Sequence, residues 1–558
     1  MFFRILFLTL FFMPVLAWCD LITPIDQQIT NQISQEKNRF KNTPLATSDR
    51  LDNTSEKVNN KLSLPIEKEC YPLNRVTLFF DKKFNHKKKF EKYAEQAIGT
   101  CIGVKGIEFL AKELQDNIIK SGYVTSRVSI PKQNIKDGEL RIDITLGIVG
   151  EIKLADESNQ HLLLSSLIPT NKHQIFNLRD LEQGLENLER LPNSAASIEL
   201  APGDDFSSTD IIIKQNQPSY FNFSGSINNT GSKQTGKEQI NLSVYANNLT
   251  SLNDTLSLSA GENLKKQARY YSNNQAIYYS VPYRYWLFSA YASRNEYKQK
   301  INDTIMSYDY YGKNNYLNFT VDNVFLRSQT YKDTASVQLV KRKSRYHLED
   351  ISISSQDRDL TSIIFGLNHR QNIGTSIIDA SVNYKRNVSW FGAKPTSDMK
   401  YGDVSEMGRV LTFNVNAMLP FTFDNMVITY NPQLFFQYTP DRLTIQDQFS
   451  LGDRWSVRGF DEEYSLIGDK GFFLRNELNF YQANSSVYPY LALDYGRIIG
   501  DTYPIGLYSN GQLVGTAVGI RGNINIFSYD LFLSTPLYQP KGFETDTANV
   551  GFNIQWIW

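Results

Sequence analysis

The 558-residue chain has few of the features that mark several common protein classes. It contains only three cysteines and five histidines, and no stretch of 18 apolar residues follows its first twenty residues. A membrane-spanning helix needs about 20 apolar residues, so any membrane crossing must be made by strands. The 58 basic and 58 acidic residues balance, so charge gives no reason to expect nucleic-acid binding.

Evidence for an enzyme is equally sparse. The histidines are scattered, and no nucleophile motif, metal-ligand spacing or P-loop accompanies them. We therefore expect a protein without catalytic activity, metal or cofactor. The histidines are His86, His161, His173, His347 and His369.

The first residues have the pattern of a secretory signal peptide. Arg4 precedes a short apolar stretch, and small Ala17 follows it. Cleavage after Ala17 or after Cys19 would be chemically reasonable, and we assign residues 1–19 to this segment. A lipoprotein acylated at Cys19 is disfavoured by bulky Trp18.

Beyond the signal peptide only Cys70 and Cys101 remain, an even pair in a chain sent to an oxidising compartment. We expect a disulfide between them, which in the chain-entropy model contributes on the order of 3–4 kcal/mol. The alternative is two buried free thiols. Metal binding is not expected, because His86 is the nearest imidazole and no ligand cluster accompanies it.

The N-terminal part divides into four segments. Residues 20–40 carry one helical pattern, and residues 41–66 lack periodicity and predict a linker. Residues 67–147 alternate strand and helix patterns, and residues 148–217 repeat that order more loosely. The expected elements are strands 75–80, 123–130, 139–146, 148–154, 195–200 and 209–214, and helices 88–98, 107–118 and 178–188, with Asn177 as a candidate N-cap.

From residue 218 to the end, apolar and polar residues alternate in successive segments. A soluble sandwich also alternates, but roughly 340 residues is large for one sandwich. Lipid-facing and lumen-facing residues average out in a membrane barrel, which suits the mean hydropathy of −0.38. The length predicts a transmembrane antiparallel β-barrel of about 16 strands.

The last nine residues support a barrel. Strand side chains alternate between faces, so one face carries an apolar set that ends in aromatics at the C-terminus. Such a face suits lipid, although an ordinary core strand could carry it too. The residues on this face are Phe552, Ile554, Trp556 and Trp558.

A long non-alternating stretch from about residue 441 to 470 interrupts the barrel pattern. It contains Val457, Arg458, Gly459 and Phe460. Loops of this length are usually functional, and an arginine beside a glycine can hold its guanidinium forward while the backbone approaches closely.

With these motifs, nearly the whole chain resembles the outer-membrane transporters of two-partner secretion. That family, of the TpsB type, exports haemolysins, adhesins and contact-dependent inhibition toxins. The motifs that carry the resemblance are Ser121-Gly-Tyr-Val-Thr125, Ile130-Pro-Lys-Gln133, Asp137-Gly-Glu-Leu140, Asn177-Leu-Arg-Asp-Leu-Glu-Gln-Gly184, Arg190-Leu-Pro192, Glu199-Leu-Ala-Pro-Gly203, Tyr279-Ser-Val-Pro282 and Val457–Phe460.

The resemblance implies a plug helix at 20–40, a periplasmic linker at 41–66, two α+β POTRA domains at 67–147 and 148–217, and a barrel at 218–558. It also implies an acidic wall partner for Arg458. Alternation places Asp494 and Glu477 inside the lumen, so we expect Arg458 to pair with Asp494, with Glu477 in reserve. This sequence has Ala492 where the family has Phe or Gly. The alternative is a solvated arginine without a fixed partner.

The function implied is a bacterial outer-membrane pore with periplasmic POTRA domains. It would export a large, unfolded β-helical exoprotein without nucleotide hydrolysis, as a monomer inserted by the barrel-assembly machinery. The alternative is an assembly or insertion factor of the same superfamily. A small-solute porin would not explain residues 70–215.

Overall fold

The computed structural model describes residues 62–158, 161–192, 194–265, 270–302, 307–402, 404–424, 426–482, 485–500 and 510–558. The expected signal peptide, plug helix and most of the linker lie outside these ranges. None of the helices within them is long and apolar enough to cross a bilayer.

The first small domain packs two helices on a three-stranded sheet. In that sheet β2 (Arg75–Phe80) pairs in parallel with β5 (Glu139–Thr145), and β5 pairs antiparallel with β4 (Arg127–Ser129). Apolar residues three or four apart line one face of α2, so Leu110 and Leu114 are fully buried. The elements are β1 (Tyr71–Pro72), β2 (Arg75–Phe80), α1 (Lys87–Ala94), a 3₁₀ turn (Glu95–Ala97), β3 (Cys101–Ile102), α2 (Val104–Lys120), β4 (Arg127–Ser129) and β5 (Glu139–Thr145).

One predicted strand of this domain is wrong in its first half. The segment 123–130 was expected to be extended, but only β4 is a strand. Gly122 ends helix α2 with a φ of +97°, and the Tyr123 N–H returns to the Ile118 carbonyl at 3.1 Å. These bonds satisfy the last carbonyls of the helix and keep the chain in a turn until Ser126.

A disulfide joins Cys70 and Cys101, whose Cα atoms lie 5.3 Å apart. It lies beside the short antiparallel pair of β1 and β3. The disulfide therefore links the segment just before β1 to the segment just before helix α2.

The second small domain repeats the plan with the sheet order β6, β8, β7. The Asn177 side-chain oxygen accepts a hydrogen bond from the Arg179 N–H at 2.9 Å, which confirms the predicted N-cap. The elements are β6 (Ile148–Leu154), α3 (Leu164–Leu167), α4 (Leu178–Glu189), β7 (Ala195–Pro202) and β8 (Ser208–Asn216).

The remaining strands close into an antiparallel barrel through pairing of β28 with β9. Its segments are β9 (Phe221–Asn228), β10 (Gln239–Asn247), β11 (Thr255–Asn263), β12 (Tyr271–Tyr283), β13 (Trp286–Asn302), β14 (Ser307–Arg327), β15 (Tyr331–Leu348), β16 (Ile351–Ser352), β17 (Arg358–Ile373), β18 (Ser376–Val388), β19 (Val410–Phe423), β20 (Met426–Tyr430), β21 (Gln433–Tyr438), β24 (Lys470–Gln482), β25 (Val487–Ile499), β26 (Gln512–Ile524), β27 (Phe527–Tyr538) and β28 (Asn549–Ile557). A short helix, α5 (Ser397–Tyr401), lies in the loop after β18.

These segments make sixteen barrel strands, which confirms the predicted fold class. The two-residue β16 only extends the pairing of β15. The segments β20 and β21 are two parts of one strand, since both pair with β19 and with β24. Pro432 lies at the break between them and has no N–H to offer the ladder.

The two faces of the barrel differ as alternation predicts. On β25, Leu491 and Leu493 are half exposed on the outside, whereas Asp494 on the inside is fully buried. The outer face is apolar and the lumen is polar, as in outer-membrane barrels.

Candidate functional site: the loop seated in the lumen

The chain between β21 and β24, residues 439–469, folds back into the barrel and carries the predicted motif. Within it, β22 (Phe449–Leu451) and β23 (Leu466–Gly468) form a small hairpin. Leu451 and Val457 have no exposed surface and Phe460 keeps only 4%. The loop is therefore packed against the wall like a core element.

Glycines on the inner wall make room for the loop. A Cβ on Gly471 would lie 2.2 Å from the Phe449 ring. One on Gly496 would lie 2.8 Å from Val457, and one on Gly515 would collide with the Arg458 carbonyl oxygen at 1.7 Å. Sequence reasoning missed this seat, although inward glycines in alternating strands are a signal for close backbone approach.

Apolar side chains also hold the loop against the wall. The Phe449 ring of the loop packs against both Phe435 and Phe473 of the wall, at centroid distances of 5.9 and 6.2 Å, and the two wall rings lie 5.4 Å apart. Phe460 meets the Phe543 ring edge-on at 5.8 Å. Phe435 and Phe473 face inward on β21 and β24, so part of the lumen wall is apolar where the loop covers it.

Arg458 lies at the tip of the loop and contacts both predicted partners at once. Its Nε and Nη2 donate to the two carboxylate oxygens of Asp494 at 2.7 and 2.9 Å, a bidentate pair. Its Nη1 donates to Glu477. The side chain of Arg458 is 4% exposed and that of Asp494 is fully buried, so the solvated alternative does not describe this arginine.

The ion pairs continue along the wall beyond Glu477. Arg521 donates to Glu477 and, through Nε, to Asp530 at 2.9 Å. The Tyr490 hydroxyl donates to the other Asp530 oxygen at 2.9 Å, and the guanidinium of Arg521 lies 4.1 Å from the Tyr490 ring centre. Arg521 and Asp530 were not anticipated, although they are inward-facing register partners on β26 and β27.

Gly459 is required by both conformation and space. Its φ is +116°, and an added Cβ would lie 2.5 Å from the Thr535 carbonyl oxygen. The Asn549 side-chain amide donates to the Gly459 carbonyl at 2.9 Å. The motif therefore contacts β27 and β28 as well as the wall that holds Asp494.

Asp453 shapes the turn that precedes the motif. One carboxylate oxygen accepts the N–H groups of Trp455 and Ser456 at 2.9 and 2.7 Å. The Trp455 carbonyl in turn accepts from Arg475 Nη1 at 3.2 Å. These bonds attach the start of the loop tip to strand β24.

The C-terminal residues close the barrel. The N–H groups of Phe223 and Trp558 donate to each other's carbonyls at 2.8 and 2.7 Å. Trp556 covers Gly225 of the first strand, where a Cβ would lie 2.1 Å from the indole. Phe552 and Ile554 share its outward face, as alternation predicts.

The second small domain is docked on the barrel's periplasmic turns. Glu186 of α4 pairs with Arg327 at 2.6 Å and Lys332 at 2.8 Å, both beside the turn from β14 to β15. Burial would raise the pKa of Glu186, but Lys332 and Arg327 outweigh it and hold that pKa well below its usual range. Asn253 of another turn donates to the Asn187 carbonyl at 2.6 Å.

The lumen beside the loop tip contains a polar cavity of about 400 Å³. Its wall includes Arg458, Arg475 and Arg521 on one side and Asn241, Tyr245 and Asn274 on the other. Within the described ranges, no group of three or more His, Cys, Asp or Glu residues could hold a metal ion. The loop tip therefore leaves a space lined by polar side chains between itself and the opposite wall.

Comparisons with known proteins agree with this architecture. A family profile for the haemolysin secretion/activation protein ShlB/FhaC/HecB matches residues 207–522. A profile for the ShlB-type POTRA domain matches residues 71–147, and another POTRA profile matches residues 148–202.

Individual relatives span most of the chain. The outer membrane transporter CdiB-2 of Burkholderia pseudomallei is 31% identical over 464 residues, which cover 82% of this chain and 78% of the relative. The hemolysin transporter protein HpmB of Proteus mirabilis is 28% identical and covers 71% of each chain. The solved structure of CdiB from Escherichia coli has the same fold, with a TM-score of 0.81, 24% identity and coverage of 96% of this chain and 98% of that one.

Proposed function

This chain belongs to the haemolysin secretion/activation family of outer-membrane two-partner transporters, and we propose that it exports one large exoprotein captured unfolded in the periplasm. The barrel lies in the outer membrane and the POTRA domains lie in the periplasm. The single observation that carries the proposal is the attachment of two POTRA domains to a closed barrel whose lumen holds the Arg458 loop.

The second POTRA domain offers a strand edge for capture. Strand β7 lies at the edge of the sheet, with β8 on one side and no partner strand on the other among the described residues. Leu200 on this strand is 43% exposed and nearby Phe206 is 85% exposed. An extended partner could add main-chain hydrogen bonds to this edge and place apolar side chains on these residues.

Transport proceeds without nucleotide hydrolysis or any catalysed reaction. The chain carries no phosphate-binding motif, and the relatives in the comparison are transporters. Capture at the POTRA edge displaces the N-terminal plug, and folding of the exoprotein outside the cell makes export irreversible. Barrel-assembly machinery inserts the chain, which works as a monomer.

The test uses the full chain with the secretion domain of a candidate β-helical exoprotein, in a strain without two-partner transporters. We expect the secretion domain on the cell surface or in the medium only when the chain is present. Export should fall strongly for Leu200→Asp, which places a charge at the capture edge.

The matched control is Val104→Asp, which changes a 70% exposed apolar residue of the first domain away from that edge. Export should be unchanged by this control. Retention of the secretion domain in the periplasm of cells with the native chain would contradict the proposed function, and equal export by both variants would contradict capture at β7.

A further inference from the structure

Three neighbouring barrel strands are longer than a membrane requires. Strands β13, β14 and β15 have 17, 21 and 18 residues, whereas a tilted strand crosses the hydrocarbon in about 9–11. Their extracellular ends therefore rise past the level of the outer-leaflet headgroups, and their outward side chains there meet lipid polar groups instead of acyl chains.

The outward side chains at that level are mainly cationic. On β15, apolar Val337 and Leu339 are followed on the same face by Lys341, Lys343 and Arg345. Between β15 and β14, Lys343 lies opposite Asn315 and Arg345 lies opposite Lys313. Between β14 and β13, Asn315 lies opposite Arg294. The five cations that form this basic patch are Arg294, Lys313, Lys341, Lys343 and Arg345.

Geometry places the basic patch at the depth of the outer headgroups. Outward Trp286 marks the periplasmic end of β13, and Arg294 lies eight residues further along the strand. At about 3.3 Å per residue and a tilt near 40°, this separation is about 20 Å of height. The next outward residue of β13, Glu296, lies at about 25 Å, the height of the apolar band of such barrels, and contacts Lys313 at 3.0 Å.

Carboxylates neutralise the basic patch only in part. Glu296 contacts both Arg294 and Lys313, at 2.6 and 3.0 Å. Asp359 and Asp357 contact Lys341 and Arg345. Lys343 is exposed and makes no ion pair within the described ranges, and Arg294 keeps 52% of its side chain exposed.

The other side of the barrel differs at the same level. Outward positions on β25 to β28 are largely apolar there and include Ile499, Val514, Tyr538 and Val550. Only Lys470 and Arg497 add outward cations on the neighbouring strands β24 and β25. Exposed Arg386 on β18 and Arg409 just before β19 add single outward cations between these two arcs, so the cations are densest on β13 to β15.

We propose that the basic patch on β13 to β15 binds the phosphate groups of lipopolysaccharide in the outer leaflet. Clustered cations beside an apolar band match a lipid with anionic phosphates above several acyl chains, as basic segments match anionic lipids at other membranes. The bound glycolipid orders the long strands at the point where they leave the bilayer.

The test measures glycolipid binding to the full chain, delipidated and purified in detergent, by native mass spectrometry. The double variant Lys313→Gln/Lys343→Gln should bind purified lipopolysaccharide more weakly than the native chain. Its dissociation constant should rise about fivefold for each cation removed. The matched control, Lys470→Gln/Arg497→Gln, loses the same charge on the other arc and should bind like the native chain. Lys313→Arg/Lys343→Arg should restore binding.

Two further probes identify the ligand chemistry. Lipopolysaccharide stripped of its phosphates should bind weakly to the native chain, and phosphatidylglycerol should not replace the intact glycolipid. Equal binding by both double variants, or equal binding of the dephosphorylated lipid or of phosphatidylglycerol, would overturn the proposal. Heat-modifiable migration on a gel checks that each variant is a folded barrel.

Discussion

At the scale of single residues, the loop tip depends on one guanidinium that serves two carboxylates. Alternation along β24 and β25 was enough to predict that Glu477 and Asp494 face the lumen. It could not predict that Arg458 binds both at once, nor that Arg521 and Asp530 extend the ion pairs, because those contacts depend on how four strands curve around the loop. The wall seat at Gly515 was missed although inward glycines on alternating strands are a signal for close backbone approach.

Replacing Arg458 by Ala should abolish or strongly reduce export while the barrel remains inserted. The substitution leaves Asp494 buried without its partner, a change that typically costs about 3–5 kcal/mol. The loop tip should therefore leave its seat on Gly515 and Gly496. Export of the secretion domain and heat-modifiable migration, measured in the same cells, check both parts of this prediction.

The matched control for that variant is Arg409→Ala. Arg409 pairs with Asp441 at 2.7 Å, but its side chain is 41% exposed, and its backbone N–H, which the substitution keeps, also donates to that carboxylate at 2.9 Å. Export by this control should match the native chain. If Arg458→Ala exported as much as Arg409→Ala, the loop tip would have no part in transport.

At the scale of elements, the second POTRA domain and the barrel share a junction that the sequence did not reveal. Helix α4 was predicted from its apolar face, yet its polar face carries the contacts to Arg327, Lys332 and Asn253. A polar helix face is normally exposed to solvent. Sequence periodicity therefore cannot distinguish a solvent-exposed polar face from a polar face that contacts another domain. Only the three-dimensional path of the barrel turns shows that these residues meet.

We expect Asp180 to make this junction sensitive to pH. Burial raises its pKa to about 6, against the opposing effects of the Tyr285 hydroxyl, which donates to it, and of Arg284. A carboxyl with a raised folded-state pKa binds protons more readily when folded. Its contribution to stability is therefore largest below about pH 4 and is lost as the pH rises to about 6.

Calorimetry of the full chain in detergent can measure this effect. We expect the melting temperature of the native chain minus that of Asp180→Asn to fall as the pH rises from about 4 to 6. Above that range this difference should stay constant. Asp156→Asn, an exposed change in the same domain, is the control and should give a constant difference. A constant difference for Asp180→Asn as well would show that this carboxyl does not titrate in the junction.

At the scale of the whole molecule, the sequence predicted the order of the parts and the number of barrel strands. The boundary between the small domains and the barrel follows from periodicity, since 3.6-residue patterns end near residue 217 and two-residue patterns follow. The strand number follows from the length of the second part, and the plug, linker and POTRA assignments follow from the family resemblance. The sequence did not predict that β13 to β15 rise above the other strands, because alternation continues unchanged where a strand leaves the membrane. It also began a strand at residue 123, where the cap of α2 keeps the chain in a turn until Ser126.

The remaining prediction concerns the closed state of the pore. Sixteen strands enclose more space than the Arg458 loop fills, since a cavity of about 400 Å³ remains beside its tip. We expect a further segment to limit conductance through this space, and residues 20–40 are the expected plug. Deleting them should raise the single-channel conductance of the full chain in planar bilayers, whereas deleting a similar length of the linker should not. A pore that stayed equally closed without residues 20–40 would assign the closure to the loop alone.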